Sequence, residues 1–303
     1  MQYPSLCEIV LSTIECFKGA KNLPKLDIKQ FKTPLVVGSG NGYYTGRILF
    51  RNSPAYFAGE SEFMGKIENI SSITDVVVVS ASGEKHAPII LENAKKLGKN
   101  TFLISSSEKS SGRTIADGSI VMPKIREPYT YNTSTYFGYM LAEYPESSLT
   151  DLEAYLSDIL TPLLKGILKD IEIGNLTSFF LVIPNEFVLL REMFEVKFIE
   201  LFGRKVARDI FSHEQMKHAT TVVPDSKELF LCFENKSQIR YGGNQINIPL
   251  FEGINYPLMM LIGYFTIGKI QESLPDYFGN SIEKYCIEAK KQSGFNISPW
   301  VDV

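Results

Sequence analysis

Short apolar runs alternate with helix-forming segments through the first half of the chain, and this alternation limits the fold more than any other feature. The runs read PLVVG at 34–38, DVVVV at 75–79, TFLIS at 101–105 and GSIVM at 118–122. Nearly continuous apolar runs of this length are typical of strands that are buried on both faces of a parallel sheet. Parallel strands need crossover connections, which the helix-forming segments supply. The first half therefore predicts an α/β unit.

The second half of the chain repeats this order of elements. SFFLVIPN at 178–185 stands where PLVVGSG stood, KELFLCFEN at 227–235 where DVVVVSASGE stood, and NYPLMMLIGYFTI at 255–267 predicts a similar closing helix. An amphipathic segment at 149–171, with a kink or a break into two shorter helices expected at Pro162, separates the two halves. The chain is therefore predicted to have two tandem α/β domains, 1–150 and 151–303. Each is expected to be a parallel sheet flanked by helices.

Composition narrows the classes of protein that fit. The chain has 303 residues, a net charge of -3 and a pI near 5.8, which argues against a nucleic-acid-binding surface. The four cysteines are far apart in sequence, so neither a zinc site nor a disulfide framework is expected. No apolar run approaches the ~20 residues that span a bilayer, and the first residues lack the basic start of a signal peptide. We expect a cytoplasmic protein with no membrane partner, no metal and no organic cofactor.

The first candidate binding loop is GSGNG, residues 38–42, directly after the first strand. Gly38 and Gly40 have no side chain, so the backbone can approach a ligand closely. Ser39 and Asn41 add polar groups to the same loop. Ligands bind beyond the carboxyl ends of parallel strands, which is where this loop is expected to lie.

The second candidate loop, SASGE at 80–84, follows the valine strand. Ser80 and Ser82 supply two hydroxyl groups, and the N-terminus of the next helix supplies unpaired N–H groups that suit an anion. Lys85 adds a positive charge. The spacing matches neither a P-loop nor a dinucleotide fingerprint, so the loops are interpreted as a cradle for a small phosphate ester. Two other interpretations remain: that the loops are only tight turns and helix caps, or that they belong to a nucleotide-binding regulator of the Rossmann type.

These loops resemble those of the sugar isomerase (SIS) domain family, whose members bind phosphosugars. SASGE matches the family's Ser-x-Ser-Gly-Glu segment completely, GSGNG matches its first loop in part, and FAGESEFMGKI at 57–67 is similar to its Ser-Glu-Phe segment. The resemblance covers nearly the whole chain, because double-SIS proteins have the duplicated layout predicted above. It implies two tandem SIS domains, each a three-layer sandwich of the flavodoxin-like type, and a phosphosugar ligand. It also implies a homodimer with sites near the subunit interface.

The resemblance further implies where the acid–base residues lie. In VKFIE, Lys197 stands three residues before Glu200, which matches the family's Lys-x-x-Glu pattern for the base of aldose–ketose isomerisation. Lys197 itself is expected to contact the substrate. In EQMKHA, His218 follows a lysine, as does the histidine that helps to open the sugar ring, and nearby His213 competes for that role. One carboxylate can move a proton between two carbons, and histidine titrates near neutral pH. The alternative is that these residues belong to an ordinary solvated helix surface.

Three departures from the family pattern weigh against catalysis. Gly42 stands where relatives often have a hydroxyl side chain, Lys85 replaces a usual threonine, and Ala219 replaces the glycine after the histidine. The leading hypothesis is an isomerase or deaminase acting on a hexose 6-phosphate or an amino-hexose phosphate. The alternative is a phosphosugar sensor that has lost turnover.

Overall fold

The structure of the chain, a computed structural model, describes residues 3–171, 173–204, 206–219, 225–234, 239–293 and 297–301. The helices described are α1 Leu6–Gly19, α2 Asn41–Leu49, α3 Phe63–Asn69, α4 His86–Lys96, α5 Ser111–Ile115, α6 Thr133–Leu141, α7 Leu149–Tyr155, α8 Thr161–Asp170, α9 Arg191–Phe202, α10 His213–Ala219, α11 Tyr256–Glu272 and α12 Tyr277–Ser293. The strands described are β1 Pro34–Gly38, β2 Tyr56–Ala58, β3 Asp75–Val79, β4 Asn100–Ser105, β5 Gly118–Val121, β6 Glu127–Pro128, β7 Ser178–Ile183, β8 Ala207–Ser212, β9 Glu228–Phe233, β10 Asn244–Ile248 and β11 Trp300–Val301.

Packing divides the chain into two compact units. The first unit comprises residues 19–125 and 134–147, and the second unit comprises the described residues within 1–18, 126–133 and 148–303. This division differs from the predicted one at the N-terminus, where α1 packs with the second unit, and at residues 126–133, which also belong to the second unit. The Leu6 N–H donates to Gln271 Oε1 at 2.8 Å, and an added Cβ at Gly268 would lie 2.3 Å from the Cys7 backbone nitrogen. That close approach fixes α1 against α11.

The sheet of the first unit has five parallel strands in the order β2-β1-β3-β4-β5. Strand β3 lies at its centre, where Val79 pairs with Gly38 of β1 on one side and Ile104 of β4 on the other. Both faces are covered, so all five residues of β3 are buried. Burying each valine contributes about 1.5–3 kcal/mol, which explains a run of four. The predicted α/β class is confirmed here.

The sheet of the second unit has four parallel strands in the order β10-β9-β7-β8. In the opposite direction this order is β8-β7-β9-β10, which matches β2-β1-β3-β4 strand for strand. The predicted repeat of elements therefore agrees with the strand order of both sheets. Helix α11 of the same unit is buried over almost its whole length and packs against α9 and α8.

The helical segment before the second sheet is distorted just before Pro162 and does not break there. Helix α7 passes into a π-helical turn at Leu156–Leu160, and α8 begins at Thr161 with Pro162 in its first turn. Proline has no N–H and its ring collides with the carbonyl four residues earlier, so a regular α-helix cannot continue through it. None of the helices within the described ranges is long and apolar enough to cross a membrane.

Candidate functional site

The candidate binding loops of the first unit lie side by side at the carboxyl edge of its sheet. The chain leaves β1 toward β2 on one side, and it leaves β3 toward β4 on the other. The crevice between β1 and β3 is therefore the point at which the strand order reverses, and ligands bind at such points in open α/β sheets. The Gly38–Gly42 loop and the Ser80–Lys85 loop border this crevice, as the sequence predicted.

The glycines of the first loop are required by close packing. An added Cβ at Gly38 would lie 2.7 Å from the Gly42 carbonyl carbon, and one at Gly42 would lie 2.8 Å from the Val79 oxygen. Gly40 has φ 51 and ψ -128, a conformation that side chains disfavour, and it forms the N-cap of α2. A side chain at position 42 would therefore collide with the end of β3.

The polar groups of the first loop differ in exposure. Ser39 is exposed, so its hydroxyl can reach a ligand. Asn41 is only 8% exposed, and its Oδ1 has no hydrogen-bond partner among the residues that the structure describes. An unpaired buried oxygen carries a desolvation cost of about 1–3 kcal/mol, which a donor on a ligand would remove.

The second loop uses its serine oxygens as acceptors for its own backbone. The Gly83 N–H donates to Ser80 Oγ and the Glu84 N–H to Ser82 Oγ, both at 3.2 Å. Each serine hydroxyl then still has a proton to donate. Two such donors beside the N-terminus of α4 suit the oxygens of a phosphate group. Lys85, which is exposed, forms the N-cap of α4.

A third loop, which follows β4, also lies at the carboxyl edge of this sheet. None of its residues was among the predicted site residues. Ser111 donates through its N–H and its hydroxyl to the two carboxylate oxygens of Glu84, at 2.9 and 2.6 Å. These bonds hold the pKa of Glu84 below its usual value. Beneath them, the Ser106 hydroxyl donates to the buried Tyr139 OH at 3.2 Å, and Tyr139 OH donates to the Ser80 carbonyl at 3.4 Å. The serine-rich run SSSEKSS at 105–111 was the available signal.

In the second unit, Lys197 and Glu200 form a buried ion pair on α9. The Lys197 side chain is 0% exposed and its Nζ lies 2.6 Å from Glu200 Oε2, while Glu200 is 22% exposed. Lys197 also donates to the Thr130 carbonyl and lies over the Tyr264 ring at 5.5 Å. The interpretation of this helix face as ordinary solvated surface is wrong for Lys197, because no water reaches its ammonium. Lys197 was also predicted to contact substrate, which a fully buried side chain does not favour.

Burial raises the pKa of Glu200, and the Lys197 ammonium opposes that rise. Glu200 lines a cavity of about 310 Å³ together with Arg204, Tyr277 and Tyr285. Thr130 lines it too, at φ 80, which is a strained conformation for a β-branched residue. Strain of this kind is concentrated at functional sites. A carboxylate with a raised pKa in a cavity has the properties of a general base.

The two candidate histidines have different surroundings. His218 is exposed on α10. The His213 side chain is 18% exposed, and its ring contacts three polar groups: Nε2 lies 3.3 Å from Glu234 Oε2 and 3.4 Å from the Phe233 carbonyl oxygen, and Nδ1 lies 3.2 Å from Tyr241 OH. Burial raises the pKa of Glu234, and His213 opposes the rise. The contacts position His213 and leave His218 accessible.

Within the described ranges, no group of three or more His, Cys, Asp or Glu side chains is arranged to hold a metal ion. No protein-family model matches the sequence, and a search of curated proteins found no match.

Solved structures do resemble the chain. The C-terminal domain of glucosamine-fructose-6-phosphate aminotransferase from Francisella tularensis has a TM-score of 0.61 at 14% identity, covering 88% of this chain and 93% of that one. Glucosamine-6-phosphate deaminase from Thermotoga maritima has a TM-score of 0.60 at 16% identity, covering 88% and 92%. Tagatose-6-phosphate ketose/aldose isomerase from Escherichia coli has a TM-score of 0.53 at 12% identity, covering 88% and 86%. At these identities the likeness shows the fold alone: parallel sheets flanked by helices, as in these phosphosugar enzymes.

Proposed function

We propose that the chain is a tandem SIS protein that binds a hexose phosphate or amino-hexose phosphate and moves a proton between two carbons of the open-chain sugar. The observation that carries the proposal is the Glu200 carboxylate. It lines a cavity, burial raises its pKa, and the buried Lys197 ammonium lies beside it. The solved structures of similar fold support the substrate class, because their names specify sugar phosphates. A homodimer remains part of this proposal.

The residues have separate roles in the proposed reaction. Ser39, Ser80 and Ser82 donate hydroxyl protons to the phosphate oxygens, and the N-terminus of α4 adds N–H donors. In the ketose-forming direction, the Glu200 carboxylate removes the proton from C2 and returns it to C1. Loss of the C2 proton leaves an enediolate with its charge on O1; the proton on O2 moves to O1 and C2=O forms as the Glu200 carboxylic acid protonates C1, so atoms and charge balance. Lys197 keeps the carboxylate ionised between turnovers.

Isotope exchange tests the proposal. The chain is incubated with fructose 6-phosphate or glucosamine 6-phosphate in deuterated water, and deuterium at C1 and C2 of the recovered sugar is measured. We expect exchange in the wild type and a loss of about a hundredfold or more in Glu200→Gln. The variant is assayed below its unfolding midpoint, and retained phosphosugar binding serves as its folding control.

The alternative function, a phosphosugar sensor without turnover, is favoured by one specific observation. Gly42 packs against the Val79 oxygen, so the loop has no room for the hydroxyl that relatives carry there. Saturable binding of a hexose phosphate with no deuterium exchange would support the sensor. Normal exchange in Glu200→Gln would remove this residue from the mechanism.

A further inference from the structure

The cavity beside Glu200 is walled by two tyrosine rings of α12. Tyr277 is 48% exposed and Tyr285 is 49% exposed, and Ser281 lies between them in the cavity lining. Residues four apart share one face of a helix, so these three side chains form a row along the cavity. Half-exposed aromatic rings beside a cavity with a few polar groups are typical of small-molecule sites.

Both rings are held in place by their neighbours. An added Cβ at Gly203 would lie 2.6 Å from Tyr277 Cζ, so the Tyr277 ring packs directly on bare backbone at the end of α9. The Tyr285 ring stacks on Tyr129, with centroids 6.2 Å apart and planes inclined at 28°. Gly203 follows Glu200 by three residues, so the end of α9 brings the carboxylate and the Tyr277 ring to the same cavity. Rings fixed in advance lose little conformational freedom when a ligand binds.

The polar groups of the cavity are complementary. Glu200 can accept hydrogen bonds, and Arg204 can only donate them. A volume of about 310 Å³ lies at the lower end of the range for small-molecule pockets, which corresponds to a monosaccharide rather than a nucleotide. A molecule with apolar C–H faces and hydroxyl groups around its edge would match rings, acceptor and donor together.

We propose that this cavity binds a monosaccharide ring, with Tyr277 and Tyr285 as specificity-determining contacts against its C–H faces. In this complex, which precedes ring opening, Glu200 accepts from a sugar hydroxyl and Arg204 donates to another. The choice of a sugar rests on the proposed function, whereas the two stacking contacts follow from the cavity itself. Two tyrosine faces and a carboxylate would also attract an organic cation, but Arg204 places positive charge in the same cavity and opposes one.

The test compares phenylalanine and leucine at each position. Binding of unphosphorylated fructose and glucose to the full chain is titrated by ligand-observed NMR in Tyr277→Phe, Tyr277→Leu, Tyr285→Phe and Tyr285→Leu. The phenylalanine variants keep the ring and should bind as the wild type does. The leucine variants should bind roughly three- to tenfold more weakly, which is the usual contribution of an aromatic contact beyond its area. Tyr56→Leu, an exposed tyrosine of the first unit, is the matched control.

Two results would overturn the inference. One is sugar affinity that is unchanged in both folded leucine variants. The other is binding of tetramethylammonium, weakened by leucine, with no binding of either sugar. Thermal unfolding verifies that each variant is folded, and the second tyrosine carries the test if a change at the first unfolds the chain. A separate titration of hexose phosphate against Ser82→Ala distinguishes this inference from the proposed function. Ser82→Ala tests phosphate binding by the loop, and the leucine variants test sugar contact by the tyrosines, so either hypothesis can be refuted while the other is supported.

Discussion

The buried pair Lys197–Glu200 makes an asymmetric prediction about stability. Glu200→Gln leaves an ammonium that is 0% exposed without its counter-charge, although the Thr130 carbonyl and the Tyr264 ring remain. Removing one partner of a buried pair costs about 3–5 kcal/mol when the remaining charge is uncompensated. Lys197→Met leaves a carboxylate that is 22% exposed and whose pKa burial already raises, so it can take up water or a proton. We expect this second change to cost less, about 1–3 kcal/mol.

Thermal unfolding of the two single variants and the double variant measures the asymmetry. For domains of this size 1 kcal/mol shifts the midpoint by about 2–4 °C, so Glu200→Gln should lower it by about 6–20 °C. The double variant Lys197→Met with Glu200→Gln has no buried charge, and it should unfold at a higher temperature than Glu200→Gln alone. If the double variant is the less stable of these two, the ammonium was not the costly group and the reasoning fails.

Three shorter predictions follow from single contacts. Gly42→Ser should destabilise the chain by about 1–3 kcal/mol in urea unfolding, because its Cβ meets the Val79 oxygen at 2.8 Å; an unchanged midpoint would show that the loop relaxes. Tyr139→Phe removes the phenol that bonds to the Ser80 carbonyl, so phosphosugar affinity measured by calorimetry should fall by about threefold to tenfold; unchanged affinity would separate this tyrosine from the site. The ionised form of Glu200 is the base and burial raises its pKa, so kcat/KM should fall as pH drops through a value above the usual ~4.3 of glutamate; a pH–rate profile with no acid limb above that value would contradict it.

The sequence predicted the parts of the fold that depend on local patterns. Apolar runs of strand length predicted β1, β3 and β4. The four consecutive valines of β3 are favoured only where a strand is buried on both faces. The glycine and serine loops could also be found in advance, since glycines directly after a buried strand allow the backbone to approach a neighbour or a ligand closely. Their place at one edge of the sheet then follows from parallel strand direction alone.

The features that the sequence did not predict depend on contacts between distant segments. Lys197 reads as a surface residue of a charged helix, and its burial comes from Thr130 and Tyr264, which are far away in the chain. The cavity beside Glu200 needs α12, which begins 77 residues after that carboxylate. Periodicity also cannot show that α1 packs on α11, because an amphipathic helix suits any apolar neighbour.

The backbone conformation of Lys85 resembles that of Gly40 in the neighbouring loop. Lys85 has φ 56 and ψ -100 at the N-cap of α4, and Gly40 has φ 51 and ψ -128 at the N-cap of α2. This conformation costs a residue with a side chain about 1–3 kcal/mol, whereas glycine adopts it freely. Lys85→Gly should therefore stabilise the fold by about 1 kcal/mol, once the extra chain entropy of glycine is subtracted, and should weaken binding of inorganic phosphate. Lys85→Arg keeps both charge and strain and should match the wild type in unfolding and in phosphate titration. Stronger or equal phosphate binding by the glycine variant would mean that the strained lysine serves no anion.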